Sequence, residues 1–203
     1  MRRSALVRRL ASLEGFTSAS PSLEQVGTPP ENAADLLTTA LARGDLVDRS
    51  VLDLGCGTGM LALGAALLGA ASVRGVDIDE RAVETARRNA RESSLQITFE
   101  VGRPESETTK VDTVLMNPPF GAQQRHADRP FWEAAFRLAG RRIHAFALAP
   151  SRSFIARSAV AHAATVEATH PVPWDLPRTF PHHRKRSVEI DVDRWVLTPH
   201  HPP

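Results

Sequence analysis

Cysteine, lysine and long apolar runs are scarce in this 203-residue chain, and each scarcity removes a class of protein. Cys56 is the lone cysteine, so neither an intrachain disulfide nor a cysteine-rich zinc site can form. His182-His183 lacks the further spaced ligands a metal site needs, and no metal is expected. No apolar stretch approaches the ~20 residues of a bilayer-spanning helix. The amino terminus, with Arg2, Arg3, Arg8 and Arg9, has no apolar core of a secretory signal. It resembles a transit peptide in being Arg-rich and amphipathic, but Leu6, Leu10 and Leu13 equally form the stripe of a docked surface helix leading into Gly15-Phe16. The expectation is a cytoplasmic protein. Lysine stands only at Lys110 and Lys185, and the net charge of +2 excludes a general polycation.

The hydrophobic share of 42% and charged share of 24% are those of a soluble globular protein, and the length suits one domain with a real core. An amphipathic helix over 4–14 is followed by a Ser/Pro-rich connector to Pro30 and a helix over about 31–43. From there strands and helices alternate. Strands are predicted at 50–54, 72–76, 96–101, 111–116, 143–148, 164–172 and 187–197. Helices are predicted at 60–68, 80–92, 131–139 and 153–163. This order implies an α/β fold whose mostly parallel sheet carries helices on both faces, with ligands bound beyond the carboxyl ends of the strands. The expected division is one domain over 1–203: helix and connector to 30, core from 31, and a flexible tail over 198–203.

Two motifs carry chemistry. Asp53-Leu54-Gly55-Cys56-Gly57-Thr58-Gly59 places a glycine-rich turn between a strand and a helix, where the backbone can bend sharply and approach a ligand. Asp77 ends the next strand, where a carboxylate can accept hydrogen bonds from both ribose hydroxyls of an adenosine. The pair predicts a nucleoside-cofactor site. Val111 to Met116 then reads as a buried strand halted by Asn117-Pro118-Pro119-Phe120. The prolines offer carbonyl oxygens and no N–H, and Asn117 adds an acceptor, so the corner suits an exocyclic –NH2 on a flat ring. Phe120 supplies a face for stacking.

Together these motifs resemble those of the S-adenosylmethionine-dependent amino methyltransferases. Leu23 to Pro30, Asp53 to Ala70, Met116 to Gly121 and Asp175 to Val192 further resemble the methyltransferase-like-five type, which places N6-methyladenosine in small-subunit ribosomal RNA. The resemblance runs over nearly the whole chain. It implies a Rossmann-like class I fold, a seven-stranded sheet with an antiparallel final strand, and S-adenosyl-L-methionine as cofactor. It also implies cofactor contacts at Gln25, Thr28, Gly55, Thr58, Met60 and Asp77; Asp53, Gly57, Gly59, Ile78, Gly102 and Arg103 complete the expected cofactor site. The family often has Tyr where Val26 stands and usually has an acidic residue, binding adenine, at Gly102. With Gly102-Arg103 there, that contact comes from a backbone group or a neighbour such as Glu100, or is absent. Eukaryotic members work with a small zinc-ribbon activator, which implies a similar partner here, along an exposed sheet edge.

In the expected reaction the Asn117 oxygen and the Pro118 carbonyl accept the two hydrogens of adenine N6, favouring a pyramidal nitrogen. No strong base is needed, since the proton can leave after the methyl arrives. Phe120 stacks on the flipped base, worth ~1–3 kcal/mol against an extrusion cost of a few. Arg125, His126 and Arg129 after the motif, and His183, Arg184, Lys185 and Arg186 before the last strand, are the expected RNA contacts. Two other readings stay open: methylation of a protein glutamine amide, and a non-catalytic RNA-binding module on the same scaffold.

Overall fold

The computed structural model describes residues 1–16, 23, 25–121, 126–177 and 187–200. Its elements run α1 (Arg3–Ala11), α2 (Pro30–Ala42), β1 (Ser50–Leu54), α3 (Met60–Leu67), β2 (Ser72–Asp77), α4 (Glu80–Glu92), β3 (Thr98–Val101) and β4 (Val111–Met116). There follow α5 (Arg129–Leu138), β5 (Ala139–Leu148), α6 (Arg152–Ala161), β6 (Ala164–Val172), β7 (Asp175–Pro177), β8 (Ser187–Glu189) and β9 (Val192–Pro199). Seven strands form one sheet in the order β3-β2-β1-β4-β5-β9-β6, in which β9 alone runs antiparallel to its neighbours. This is the architecture the class I resemblance implies.

The sheet is buried on both faces, which is why its central strands are almost continuously apolar. Along β1 and β4, Val51 and Leu115 face a core with Leu6, Leu10, Leu36, Leu37 and Leu63. Leu52, Leu54, Val114 and Met116 point the other way, toward Trp132, Phe136, Ile143 and Trp195. Each such leucine, fully buried, contributes about 1.5–3 kcal/mol. Helix starts follow local chemistry. Pro30 pre-sets the first turn of α2, and the Asp79 carboxylate caps α4 by accepting from Arg81 N at 3.0 Å.

The register decides where the site forms. Leu54 lies opposite Val76 on one side and Met116 on the other. The next residues, Gly55, Asp77 and Asn117, therefore stand at one level, where β1 and β4 have ended and β2 ends. They do so where the strand order reverses, between β1 and β4.

Three expectations are corrected. The single strand over 187–197 is two, because the chain breaks at Ile190 and Asp191; β8 pairs antiparallel with β7 in a small separate sheet, and Ile190 N donates to Trp174 O at 3.1 Å. Thr198 and Pro199, expected in a flexible tail, close β9 against β6, and His200 N donates to Ala163 O at 2.9 Å. Finally, β5 starts directly at Ala139. Its charged residues Arg141 and Arg142 hid the strand from the apolar pattern, but both reach the buried Asp45 carboxylate, at 2.9 and 3.2 Å. Among the described residues no helix is long and apolar enough to cross a membrane.

Candidate active site

The glycine turn is held from below and beside. Gly55 N and Cys56 N both donate to Val76 O, at 2.8 and 3.1 Å. Gly57 N donates to one Asp77 carboxylate oxygen at 2.8 Å, and Asp79 N to the other at 2.9 Å. Gly55 and Gly57 have φ of +72° and +52°, where a side chain would be strained. A Cβ would lie 2.8 Å from the Phe131 ring at Gly55 and 2.9 Å from the Phe16 ring at Gly57. Asp53 lies beneath the turn, fully buried, with one oxygen accepting from Ala62 N at 2.9 Å and the other without a partner among the described residues. Burial pushes its carboxyl up to about 7, partly offset by the Ala62 N–H, with the Asp77 carboxylate adding to the rise. Burial also raises Asp77, against the backbone N–H groups that favour its charge.

Two adjoining cavities open on this turn. The larger, about 270 Å³, is lined by Phe16, Gln25, Gly55, Gly57, Asp77, Ile78, Gly102, Arg103, Glu105, Asn117, Pro119, His126 and Phe131 among others. The smaller, about 110 Å³, is lined by residues including Thr28, Asp53, Gly55, Gly57, Thr58, Met60 and Asn117. All the expected cofactor residues thus line one cavity or the other except Gly59, which instead precedes α3 with a φ of +91°. The Gln25 amide donates to the Asp79 carboxylate at 2.6 Å, tying the connector to the end of β2. Gly102 N is taken by Asp77 O at 2.9 Å, and Glu100 is held by Arg74 at 2.9 Å. The carboxylate that does line the cleft beyond β3 is Glu105.

At the end of β4 the Asn117 side-chain nitrogen donates to the Thr28 hydroxyl at 2.9 Å. Its oxygen is buried and has no hydrogen-bond partner among the described residues. Pro118 is buried behind it. Phe120 lines neither cavity. It packs edge-on against Trp174, ring centroids 5.7 Å apart, and Trp174 packs in turn against Phe146 at 5.0 Å. Of the expected RNA contacts, His126 lines the larger cleft with a φ of +68°. Arg129 opens α5 with its guanidinium 5.1 Å from the centre of the Phe154 ring and 3.4 Å from His126 Nε2. Arg125, His183, Arg184, Lys185 and Arg186 lie outside the described residues.

Several site residues carried no role in the sequence reading: Phe16, Val26, Glu105, Phe131 and Trp174. Phe16 is brought over the turn by Asn89 of α4, which accepts from Glu14 N at 2.9 Å and donates to both Glu14 O and Thr58 O at 3.0 Å. The one available signal was Gly15-Phe16, the stop after an amphipathic helix. Phe131 and Trp174 look in sequence like ordinary core aromatics.

The cradle fits a nucleoside cofactor. Gly55 and Gly57 present bare backbone to the cleft, Asp77 stands at the end of β2, and Asp53 and Asn117 each hold a buried acceptor without a partner among the described residues. Fold and site together define a class I methyltransferase.

Comparison with known proteins agrees. Residues 29–145 match the methyltransferase small domain family. The chain is 34% identical over 198 residues to the rRNA N(6)-adenosine-methyltransferase METTL5 of Danio rerio, spanning 94% of this chain and 95% of that one. The Drosophila melanogaster Mettl5 is 33% identical over 196 residues, spanning 92% and 91%. A solved structure from Pyrococcus horikoshii, provisionally assigned as an RNA methyltransferase, is 36% identical with a TM-score of 0.91 over 98% of both chains. A Methanocaldococcus jannaschii protein provisionally named as a protein N5-glutamine methyltransferase is 36% identical, but over 97 residues, 47% of this chain and 48% of its own. The chain belongs to the methyltransferase small domain family, within the group of the METTL5 proteins. It is an enzyme, and its cofactor is S-adenosyl-L-methionine.

Proposed function

We propose that this protein methylates adenine N6 in RNA, and that the RNA is that of the small ribosomal subunit. The observation that carries the reading is the buried, unpartnered oxygen of Asn117, at the end of β4 and level with the glycine turn. Bound S-adenosylmethionine supplies an electrophilic methyl on a sulfonium. The chain's own work is placement and shaping of the nucleophile. The Asn117 oxygen and the Pro118 carbonyl accept the two hydrogens of the target amino group, drawing its lone pair out of conjugation. Asp77, Gln25 and the glycine turn hold the cofactor, and Phe16 and Phe131 exclude water above it. Phe120, backed by Trp174, is the wall against which the base rests. His126 and Arg129 contact the RNA chain near the cleft. Arg125, His183, Arg184, Lys185 and Arg186 are proposed as further phosphate contacts.

Methylation of a protein glutamine amide is the second reading, since that amide is also a planar –NH2. The similarity to adenine methyltransferases runs the length of the chain, whereas the glutamine-type relative matches under half of it. A small zinc-ribbon activator subunit is proposed as a partner at β3, which ends the sheet and pairs with β2 alone among the described residues. A cytoplasmic site of action accords with an rRNA substrate.

The test is transfer of labelled methyl to small-subunit RNA, with the modified nucleoside identified by mass. N6-methyladenosine is expected. Label on protein alone would overturn the RNA reading. Asn117→Ala should lower transfer at least a hundredfold, the scale on which a lost charge-stabilising group acts. Cofactor affinity by calorimetry should fall far less than the rate, because Asp77, Gln25 and the glycine turn also line the cleft.

A further inference from the structure

Thr28 belongs to the connector ahead of α2, and the resemblance makes it a cofactor contact. Its hydroxyl is nevertheless the acceptor for the Asn117 amide nitrogen, at 2.9 Å, across 89 positions of sequence. Thr28 is 8% exposed, and the Asn117 oxygen it leaves over has no partner among the described residues. Pro29 and Pro30 follow directly and stiffen the backbone that carries it.

We infer that Thr28 is a positioning residue, whose hydroxyl holds the Asn117 nitrogen and so presents the side-chain oxygen to the substrate amino group. The inference rests on the reading of Asn117 given above. Chemically, the two ends of an amide are opposites. A half-turn of the Asn117 amide would set –NH2 against the incoming –NH2, two donors face to face, and the corner would lose one of its acceptors.

A hydroxyl can donate as well as accept, so the bond to Asn117 does not by itself choose the orientation. The choice comes from where the Thr28 proton goes. Thr28 lines the smaller cavity with Thr58 and Met60. A cofactor acceptor within reach of Thr28 in that cavity would take the proton, leaving only lone pairs to face Asn117. Cofactor binding and orientation of the amide are then linked through one hydroxyl, and the acceptor is set when a methyl donor is present.

Thr28→Val keeps the shape and removes the hydroxyl; Thr28→Ser keeps the hydroxyl; Thr28→Ala replaces the valine variant should that one fail to fold. Methyl transfer to small-subunit RNA by Thr28→Val should show kcat down about tenfold or more, a larger loss than the few-fold fall in affinity for S-adenosylhomocysteine that calorimetry should register for one lost hydroxyl. Thr28→Ser should recover most of the rate. A weakened affinity with unchanged kcat would make Thr28 a cofactor contact only and overturn the inference. A second readout needs no turnover. The chain has three asparagines, Asn32, Asn89 and Asn117, so labelled asparagine yields few side-chain amide signals, and Asn117→Ala identifies the one that matters. That signal should shift on adding S-adenosylhomocysteine in the wild type and Thr28→Ser, and move to a faster-exchanging position in Thr28→Val. An Asn117 signal indifferent to the valine substitution would equally overturn it. Absence of transfer to RNA by the wild type would instead overturn the substrate reading, leaving the amide signal to judge Thr28.

Discussion

Asp53 shows how much one buried carboxyl can do to this site. Its ionisation is displaced to about 7, against ~3.9 for an aspartate in an unfolded chain. Between those values the folded protein keeps a proton that the unfolded chain has lost, so stability falls as pH rises from about 4 to about 7 and levels off above. Asp53→Asn retains an oxygen for the Ala62 N–H and cannot ionise. Urea unfolding at about pH 5 and about pH 8 should show the wild type losing on the order of 1–4 kcal/mol relative to the variant over that interval. Parallel pH profiles would remove the account. Gly57 acts by absence. Gly57→Ala must hold a positive φ and press its methyl against Phe16, so cofactor affinity should drop tenfold or more for a stability cost of about 1–2 kcal/mol. Calorimetry beside thermal unfolding separates the two effects.

Among the elements, α4 does more than cover the sheet. Asn89 on its inner face is 2% exposed and bonds at once to the segment after α1 and to the glycine turn. The Arg88 guanidinium adds a bidentate pair with Glu14, at 2.7 and 3.0 Å. Asn89→Ala leaves the buried Thr58 carbonyl and the half-buried backbone groups of Glu14 without partners, at about 1–3 kcal/mol. Amide exchange at residues 13–16 should quicken, and cofactor affinity should weaken as Phe16 loses its place. Unchanged exchange there would show that α1 is held by its leucines alone. The link after β6 plays a matching part across the cleft. Asn32 of α2 donates to Pro173 O at 2.9 Å and so fixes Trp174 behind Phe120.

Over the whole molecule, stability and chemistry are kept in different places. Asp45, ahead of β1, accepts from Arg141, Arg142 and His144 and is fully buried. Burial works against its charge, but His144 and the two arginines outweigh it and hold the carboxyl below its usual range. Burial lowers His144, whose neutral ring donates to Asp45. Asp45→Ala strands these donors and should cost about 3–5 kcal/mol in urea unfolding. Cofactor affinity at a permissive temperature should be preserved, since Asp45 lines neither cavity. A selective loss of affinity would show the network reaching the site.

Much of this was legible in the chain. The alternation of strand and helix, the glycine turn and the Asn-Pro-Pro corner are short-range patterns, and backbone chemistry makes them local. The break at Ile190 and Asp191 was not legible, because an alternating pattern continues through it and only the pairing of β8 with β7 interrupts it. Residue types at close spacing were enough to say what could be done here: bind a nucleoside cofactor and receive a planar amino group. Which hydroxyl the Asn117 amide meets, which rings close over the turn and what braces Phe120 were settled by folding. Each is a contact between residues far apart in sequence, and it exists because the register of β1 against β2 and β4 brings three strand ends to one level.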